Sequence, residues 1–379
     1  MKQSLGKQSV LDLGEVLSGA LSPATGSRLR SDGVSLAGIA AAALRNQVRG
    51  AVWLELCRHG ICMPLPEVLR ARLPEGHSAL VLEDGWRHES ERTRNLTGQA
   101  SDIIAALNDA GITPMLLKGM ALVLGGTMPE PGRRWMVDID FMVRPEELDI
   151  AMATLDRLGY CHRAERGAPH HAPSVTRAPG EAEIEVHFAM VVPALQPALP
   201  AEAAWAEARL HDEGGLRFYC PSPEDALMHA ALHGQESKCV RQLARIPFRA
   251  LADFAALRER HAQTVDWPAL RRRAAAAGCA ASFDTHLYQA CLLFRQDWPL
   301  PRRAKLAVRL HWRLCLIAAA HPRSVGQALF TWLEIRQLAS TAAKGRGPVG
   351  GAVACLALAV RLAFKYRGRL AARLMGKRK

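Results

Sequence analysis

The run RRWMVDIDFMVRPEELDIAMATLDRLGY occupies residues 133–160, and its reading decides the fold. Its first half alternates. Val137, Ile139, Phe141 and Val143 fall on one face of an extended segment, and Asp138, Asp140 and Met142 fall on the other. The alternation predicts a strand over 137–143 with one apolar face turned to a core. The second half changes period. Pro145, with Glu146 and Glu147 behind it, opens a helix; Leu148, Met152, Leu155 and Leu158 make its buried stripe, and Gly159 stops it.

Outward from that run the same grammar repeats. Ser101–Ala110 reads as a helix ended by Gly111, and ITPMLLK (112–118) reads as a buried strand running into Gly119. MALVLGG follows as a short helix ending at Gly125 and Gly126, and TMPEPGRR (127–134) is a loop. Downstream come a strand-like YCHRAE, a His/Pro/Gly-rich loop (167–180) and a second alternating strand, EAEIEVHF (181–188). There Ile184, Val186 and Phe188 face one way, and Glu181, Glu183, Glu185 and His187 the other. The order β–α–β–α–β–β suits an α/β or α+β sheet with helices on one side.

Both flanks read as helical. Residues 1–95 are Ala/Leu-rich and broken at 21–27, 63–66 and 73–77. From Leu216 onward helices return: Ser222 caps one, with Pro223 in its first turn and Asp225 at the third position, and others are expected over 239–259, 267–277, 281–295, 302–320 and 324–341. Three regions result: a helical 1–95, a core over 96–219, and a helical 220–379 ending in the basic segment RLAFKYRGRLAARLMGKRK.

Composition narrows the class. With 379 residues, 49% hydrophobic and 22% charged, the chain has ample material for a packed core and is not disordered, collagen-like or a coiled coil. A net charge of +13 favours polyanionic partners such as nucleoside triphosphates, nucleic acid or an anionic membrane surface. Nine Cys, an odd number with no C-x-x-C pair, argue against a disulfide framework or a thiolate zinc site and for a reduced, cytoplasmic setting. The first residues lack the apolar run of a secretory signal, and VGGAVACLALAV (349–360) is too short to span a bilayer.

The chemistry concentrates at Asp138 and Asp140. Two carboxylates spaced i, i+2 on a strand project from one face, roughly 6–7 Å apart at their base. Such a pair can bridge hard cations; Mg2+ commonly uses one or two carboxylates together with substrate phosphates. On its own the pattern is shared with many exposed strands, and its neighbours give it weight. The glycine turn Lys118-Gly119 opens a helix whose N-terminal amides attract an anion. Arg133 and Arg134 precede the acidic strand and could hold triphosphate oxygens. Lys118 could pair with a phosphate or with the two aspartates. A third acidic strand at 181–187 offers a further carboxylate.

These separated motifs, LLKGMAL, RRWMVDIDFMV, IEVHF and PSPEDALMHAALHG, resemble in their order the uncharacterised nucleotidyltransferase family of the DNA polymerase β superfamily, over roughly residues 100–300. The resemblance implies an α+β, polymerase β-like core, a mixed sheet with helices, between the two helical regions. It implies Gly119 as the phosphate-cradling turn and Asp138 and Asp140 as the main metal ligands. Glu185 is the third carboxylate, ligand or base, with Glu183 as its competitor, and Arg134 is the family arginine. The implied activity moves a nucleoside monophosphate from an NTP, ATP foremost, to an acceptor hydroxyl or similar group on a small molecule, peptide or protein. It releases pyrophosphate and depends on Mg2+ or Mn2+. Two departures stand out: Met120 where relatives often have Ser, and Val137 where they often have Gly. They motivate the alternative of a degenerate member that keeps the fold as a nucleotide- or partner-binding module.

The remaining candidates divide between function and structure. His229 and His233 share a helix face at zinc-pair spacing but lack a third ligand; with His187 they are cleft or acceptor contacts, or histidines hydrogen-bonded inside. His170 and His171 lie in the loop, where they touch substrate or solvent. The basic C-terminus meets nucleic acid, a membrane surface or only water. Eight Trp and four Tyr form no stacking ladder of the kind that nucleic-acid platforms use.

Overall fold

The strand read over 137–143 is the centre of a seven-stranded mixed sheet. In the computed structural model, residues 7–162, 167–178, 181–300 and 303–321 are described, with Val325, Ala328, Leu329 and Trp332 beyond them. The strands are β1 (Met115–Leu116), β2 (Asp138–Met142), β3 (Cys161–His162), β4 (Val175–Thr176), β5 (Glu183–His187), β6 (Arg209–Glu213) and β7 (Leu216–Cys220). They lie in the order β3-β4-β5-β2-β1-β7-β6. β2 runs parallel to β5 and antiparallel to β1, β1 runs parallel to β7, and the other neighbours pair antiparallel.

The helices before and within the sheet are α1 (Lys7–Leu17), α2 (Pro23–Ser31), α3 (Gly33–Asn46), α4 (Arg49–Arg58), α5 (Glu67–Arg70), α6 (Ser78–Asp109), α7 (Lys118–Leu124), α8 (Leu148–Arg157) and α9 (Ala201–Glu207). After the sheet come α10 (Pro223–Glu236), α11 (Phe248–His261), α12 (Trp267–Ala276), α13 (Ala280–Leu293) and α14 (Leu306–Ala320).

Alternation along β2 and β5 sends their residues to two different places. Ile139, Phe141, Val143, Ile184 and Val186 pack with Ile103, Ile104 and Leu107 of α6 and with Ala151 and Leu155 of α8. On the opposite face Met142 joins Met115 and Leu117 in a second cluster. That cluster contains Leu227 and Met228 of α10 and Phe248 and Phe254 of α11. It also takes in Val10, Ile39 and Trp53 of the N-terminal helices. The first and last helical regions therefore share one core, and a Glu15–Arg295 ion pair at 2.6 Å ties α1 to the end of α13.

The loop leading into β2 is held by the N-terminal helices. A Cβ on Gly50 would stand 1.8 Å from the Gly132 carbonyl oxygen, so α4 and the loop meet backbone to backbone. Arg92 of α6 donates to the Met136 and Val137 carbonyls at 2.7 and 3.0 Å.

Several sequence expectations need correction. The helix expected at 101–110 is the last third of α6, which begins at Ser78 and runs through residues 95 and 96. Its earlier turns bury acidic residues, but these are satisfied: Glu89 accepts from the Gly50 amide at 3.0 Å, and Glu83 pairs with Arg70 at 2.8 Å and Arg87 at 2.7 Å. Residues 216–220 are strand, not the start of a helical region, because LRFYC buries Phe218 and Cys220 and supplies the neighbour that β1 needs. The helix expected at 239–259 begins only at Phe248, since Cys239 and Ala244 sit at φ 55° and 48° and Pro247 precedes it. The loop at 167–180 contains β4 and a bridge from His171 to His187; a two-residue strand leaves no period to read. Most of the 324–341 helix, the 349–360 run and the basic C-terminal segment lie outside the described residues.

Candidate active site

Parallel pairing fixes which acidic residues meet. The register sets Asp138 beside Glu183, Asp140 beside Glu185, and Met142 beside His187. In a parallel ladder, paired residues project from the same face, so the acidic sides of both strands line one wall. Asp140 is 2% exposed and His187 fully buried. His187 Nε2 donates to Asp140 Oδ1 at 3.1 Å and lies 3.4 Å from Glu185 Oε2. One donor atom each from Asp140, Glu185 and His187 falls within 4.8 Å of the others.

Lys118 closes this group. Its Nζ lies 2.5 Å from Asp140 Oδ1 and 3.4 Å from Glu185 Oε2. The residue sits at φ 48°, in the left-handed region, where the chain turns from β1 into α7. Gly119 follows. A Cβ there would stand 2.0 Å from Arg134 Nη1 and 2.6 Å from Met136 Sδ, so only glycine lets the turn pack against the β2 loop.

The charges hold one another in place. Burial opposes ionisation of Asp140, but Lys118 and His187 outweigh it and keep the carboxyl well below the usual carboxylate range. The His187 hydrogen bond likewise lowers Glu185. Burial lowers Lys118, yet Asp140 and Glu185 overcome it and hold the ammonium above its ordinary value. Asp138 goes the other way: burial and then the Asp140 charge push it up. Glu183 is engaged elsewhere, accepting from Ser174 Oγ at 2.5 Å, which leaves Glu185 as the carboxylate of the cluster.

The arginines are committed to carboxylates. Arg134 makes a two-pronged, buried pair with Asp253 of α11, Nε to Oδ1 at 2.9 Å and Nη2 to Oδ2 at 3.0 Å. Arg133 pairs with Glu55 at 2.6 Å and Glu130 at 3.1 Å. Neither guanidinium is the free phosphate ligand that the sequence suggests. Of the two departures, Val137 is 42% exposed at the strand's entrance, while Met120 is buried in the cluster behind the sheet.

α10 brings histidines to the same wall. His229 and His233 meet edge to face at 5.9 Å. Burial and His233 hold His229 well below its ordinary value, and burial and Lys118 lower His233 to about 4. Both are therefore neutral near pH 7. His170 and His171 lie tilted against His187 at ring distances of 5.4 and 5.1 Å. Burial, then His187 and His171, lowers His170 to about 4. The loop histidines thus roof the cluster, which their sequence setting did not reveal. Sequence reasoning also missed Asp253 and Arg249 on α11; no local signal marks them, because the contact from Arg134 spans 119 residues.

The donor set suits a hard divalent cation: carboxylate oxygens converge, a nitrogen stands at the margin, and an internal ammonium already answers their need for positive charge. The profile of the Uncharacterised nucleotidyltransferase family matches residues 34–295.

The chain belongs to that family.

No curated protein matches this chain in sequence. Among solved structures it is similar to the antibiotic-resistance factor ANT(2'')-Ia in solution, at 17% identity and TM-score 0.36, over 52% of this chain and 98% of that one. The crystal structure of ANT(2")-Ia with adenylyl-2"-tobramycin gives 16% identity and TM-score 0.35, over 48% and 96%. An antigenic nucleotidyltransferase-like protein from Paracoccidioides brasiliensis gives 15% and 0.33, over 49% and 93%. The family assignment rests on the profile match. No helix among the described residues is long and apolar enough to cross a membrane.

Proposed function

We propose that this nucleotidyltransferase transfers a nucleoside monophosphate from an NTP, ATP foremost, to an acceptor hydroxyl, with β2 and β5 carrying the reacting centre. The observation that supports this reading is the in-register parallel pairing that brings Asp140, Glu185 and His187 within 4.8 Å of one another. Asp138, Asp140 and Glu185 would hold divalent cations, Mg2+ or Mn2+, which when bound activate the attacking oxygen and stabilise the leaving one.

The chain's own residues do the rest. The acceptor oxygen attacks the α-phosphorus; the new oxygen–phosphorus bond forms as the bond to the bridging oxygen breaks, and pyrophosphate leaves with that electron pair. Glu185 takes the acceptor's proton. His187 orients Asp140 and Glu185 through its Nε2, His229, His233 and His170 offer neutral contacts to the acceptor, and His171 lies beside them. The helical regions close the cleft and select the acceptor, a small molecule, peptide or protein. The cysteines among the described residues are free thiols, which fits a cytoplasmic setting.

A second reading has one observation in its favour. Lys118 Nζ already bridges Asp140 and Glu185, as in a member that keeps the fold to bind nucleotide without turnover. Titration with ATP and Mg2+, followed by pyrophosphate assay against an acceptor panel, separates the two. Pyrophosphate release that vanishes in Asp138→Ala/Asp140→Ala supports transfer; binding without release under every acceptor supports the module.

A further inference from the structure

Near the acidic wall, Lys118, Arg133, Arg134 and Arg249 are cations of the chain itself, and the first three are neutralised by carboxylates. Lys118 is held by Asp140 and Glu185, Arg133 by Glu55 and Glu130, and Arg134 by Asp253. Arg249 lies on the first turn of α11, four residues before Asp253. Its Nη1 reaches only neutral oxygens, Gln47 Oε1 at 3.3 Å and the Trp135 carbonyl at 3.5 Å. Among the described residues no carboxylate pairs with it, and Asp253 is taken by Arg134 in a two-pronged bond. Arg134 Nη1 points to the same Trp135 carbonyl at 3.5 Å, so two guanidinium groups meet at one carbonyl oxygen beside Gly119 and the start of β2, and only Arg134 has a carboxylate.

A partly buried guanidinium without an anion is costly, because burial removes water that no charge replaces. Burial and the neighbouring Arg134 accordingly pull Arg249 below its ordinary value, while Asp253, Asp138 and Asp140 act on it in the opposite sense. Sites that keep such a cost commonly keep it for a ligand. The ligand that this position fits is anionic, offers two acceptor oxygens to a fork of donors, and sits adjacent to the acidic wall rather than on it: a phosphate group.

We propose that Arg249 is the phosphate-binding residue of the cleft, receiving the β- and γ-phosphates of the NTP and the pyrophosphate that leaves. Arg134, held by Asp253, is then a positioning residue that fixes the Trp135 carbonyl and the Gly119 turn. The inference rests on the nucleotidyltransferase reading above.

Calorimetric titration of MgATP and of AMP with Mg2+ into wild type, Arg249→Gln and Gln47→Glu tests it. Arg249→Gln should weaken MgATP by about tenfold or more, the scale of a charge-assisted hydrogen bond, and leave AMP within about twofold. Its thermal midpoint should not fall, since an uncompensated buried charge is removed. Gln47→Glu leaves Arg249 in place and supplies the missing carboxylate, so it should weaken MgATP selectively and raise the midpoint; it decides the matter even if Arg249→Gln fails to fold. Unchanged MgATP affinity in either folded variant, or equal loss for AMP, overturns the role of Arg249. Wild type that binds neither nucleotide overturns the nucleotidyltransferase reading itself.

Discussion

The two faces of β2 and β5 are built from neighbouring residues and behave as opposites. Ile139, Phe141, Ile184 and Val186 are buried among aliphatic side chains of α6 and α8, where any residue of similar volume serves. Asp140 and His187, one residue away in each case, are just as buried and Glu185 is partly so, but only because each finds a charge or a hydrogen bond. One face is specified by shape and the other by electrostatics. Substitutions should therefore separate stability from activity along a single strand.

The largest expected effect is on activity. Asp140→Asn keeps an acceptor for Lys118 and His187 but removes the charge; pyrophosphate release should fall by on the order of a thousandfold while the circular dichroism spectrum is unchanged. Retained turnover would mean that the acidic face does not carry the chemistry. Phe141→Ala, on the other face, should cost about 3–5 kcal/mol in urea unfolding and leave nucleotide affinity per folded molecule unaltered. Asp253→Ala leaves Arg134 buried without its partner and should cost about 3–5 kcal/mol, which makes the comparison sharper: this residue is polar and lies on α11 rather than on the acidic strands, yet its loss would read as structural.

The smallest effect is on pH dependence. His233 and His170, each lowered to about 4, bind protons in the unfolded chain before they do in the folded one. As pH falls from about 6.5 towards 4, the unfolded state gains the protons and the folded state loses stability. His187 is raised by Asp140 and Glu185 and works in the reverse sense: its contribution is full below the ordinary histidine value and is lost as pH rises through the folded one. Thermal midpoints of wild type and His233→Gln between pH 7 and pH 4.5 should converge as pH falls, because the variant lacks one of the lowered groups. Parallel curves would remove His233 from the account.

What was legible in the sequence follows from range. The β2 alternation and the helix after it appear because both are periodic within a dozen residues, and the Ser222 cap, which accepts from the Asp225 amide at 3.3 Å, is more local still. The pairing of β1 with β7 joins residues more than a hundred apart, so the strand at 216–220 passed for helix. That Asp140 and Glu185 lie side by side was legible in kind, since paired strands with acidic faces must put those faces together. Lys118 stood between a phosphate and the aspartates, and the partner of Arg134 was not legible. Whether a cation meets a phosphate or a carboxylate depends on which side chain arrives from another element, and Asp253 arrives from α11.

Lys118 has one more consequence. Carboxylates gathered this closely repel one another, and a chain relying on a captured ion for relief would stay unfolded until the ion came. Here the relief is encoded in the polypeptide, so folding can finish ahead of loading. Exhaustive chelation should accordingly leave the wild-type melting temperature where it was. Lys118→Met should melt lower and recover when millimolar Mn2+ is added, trading a covalent counter-ion for a borrowed one.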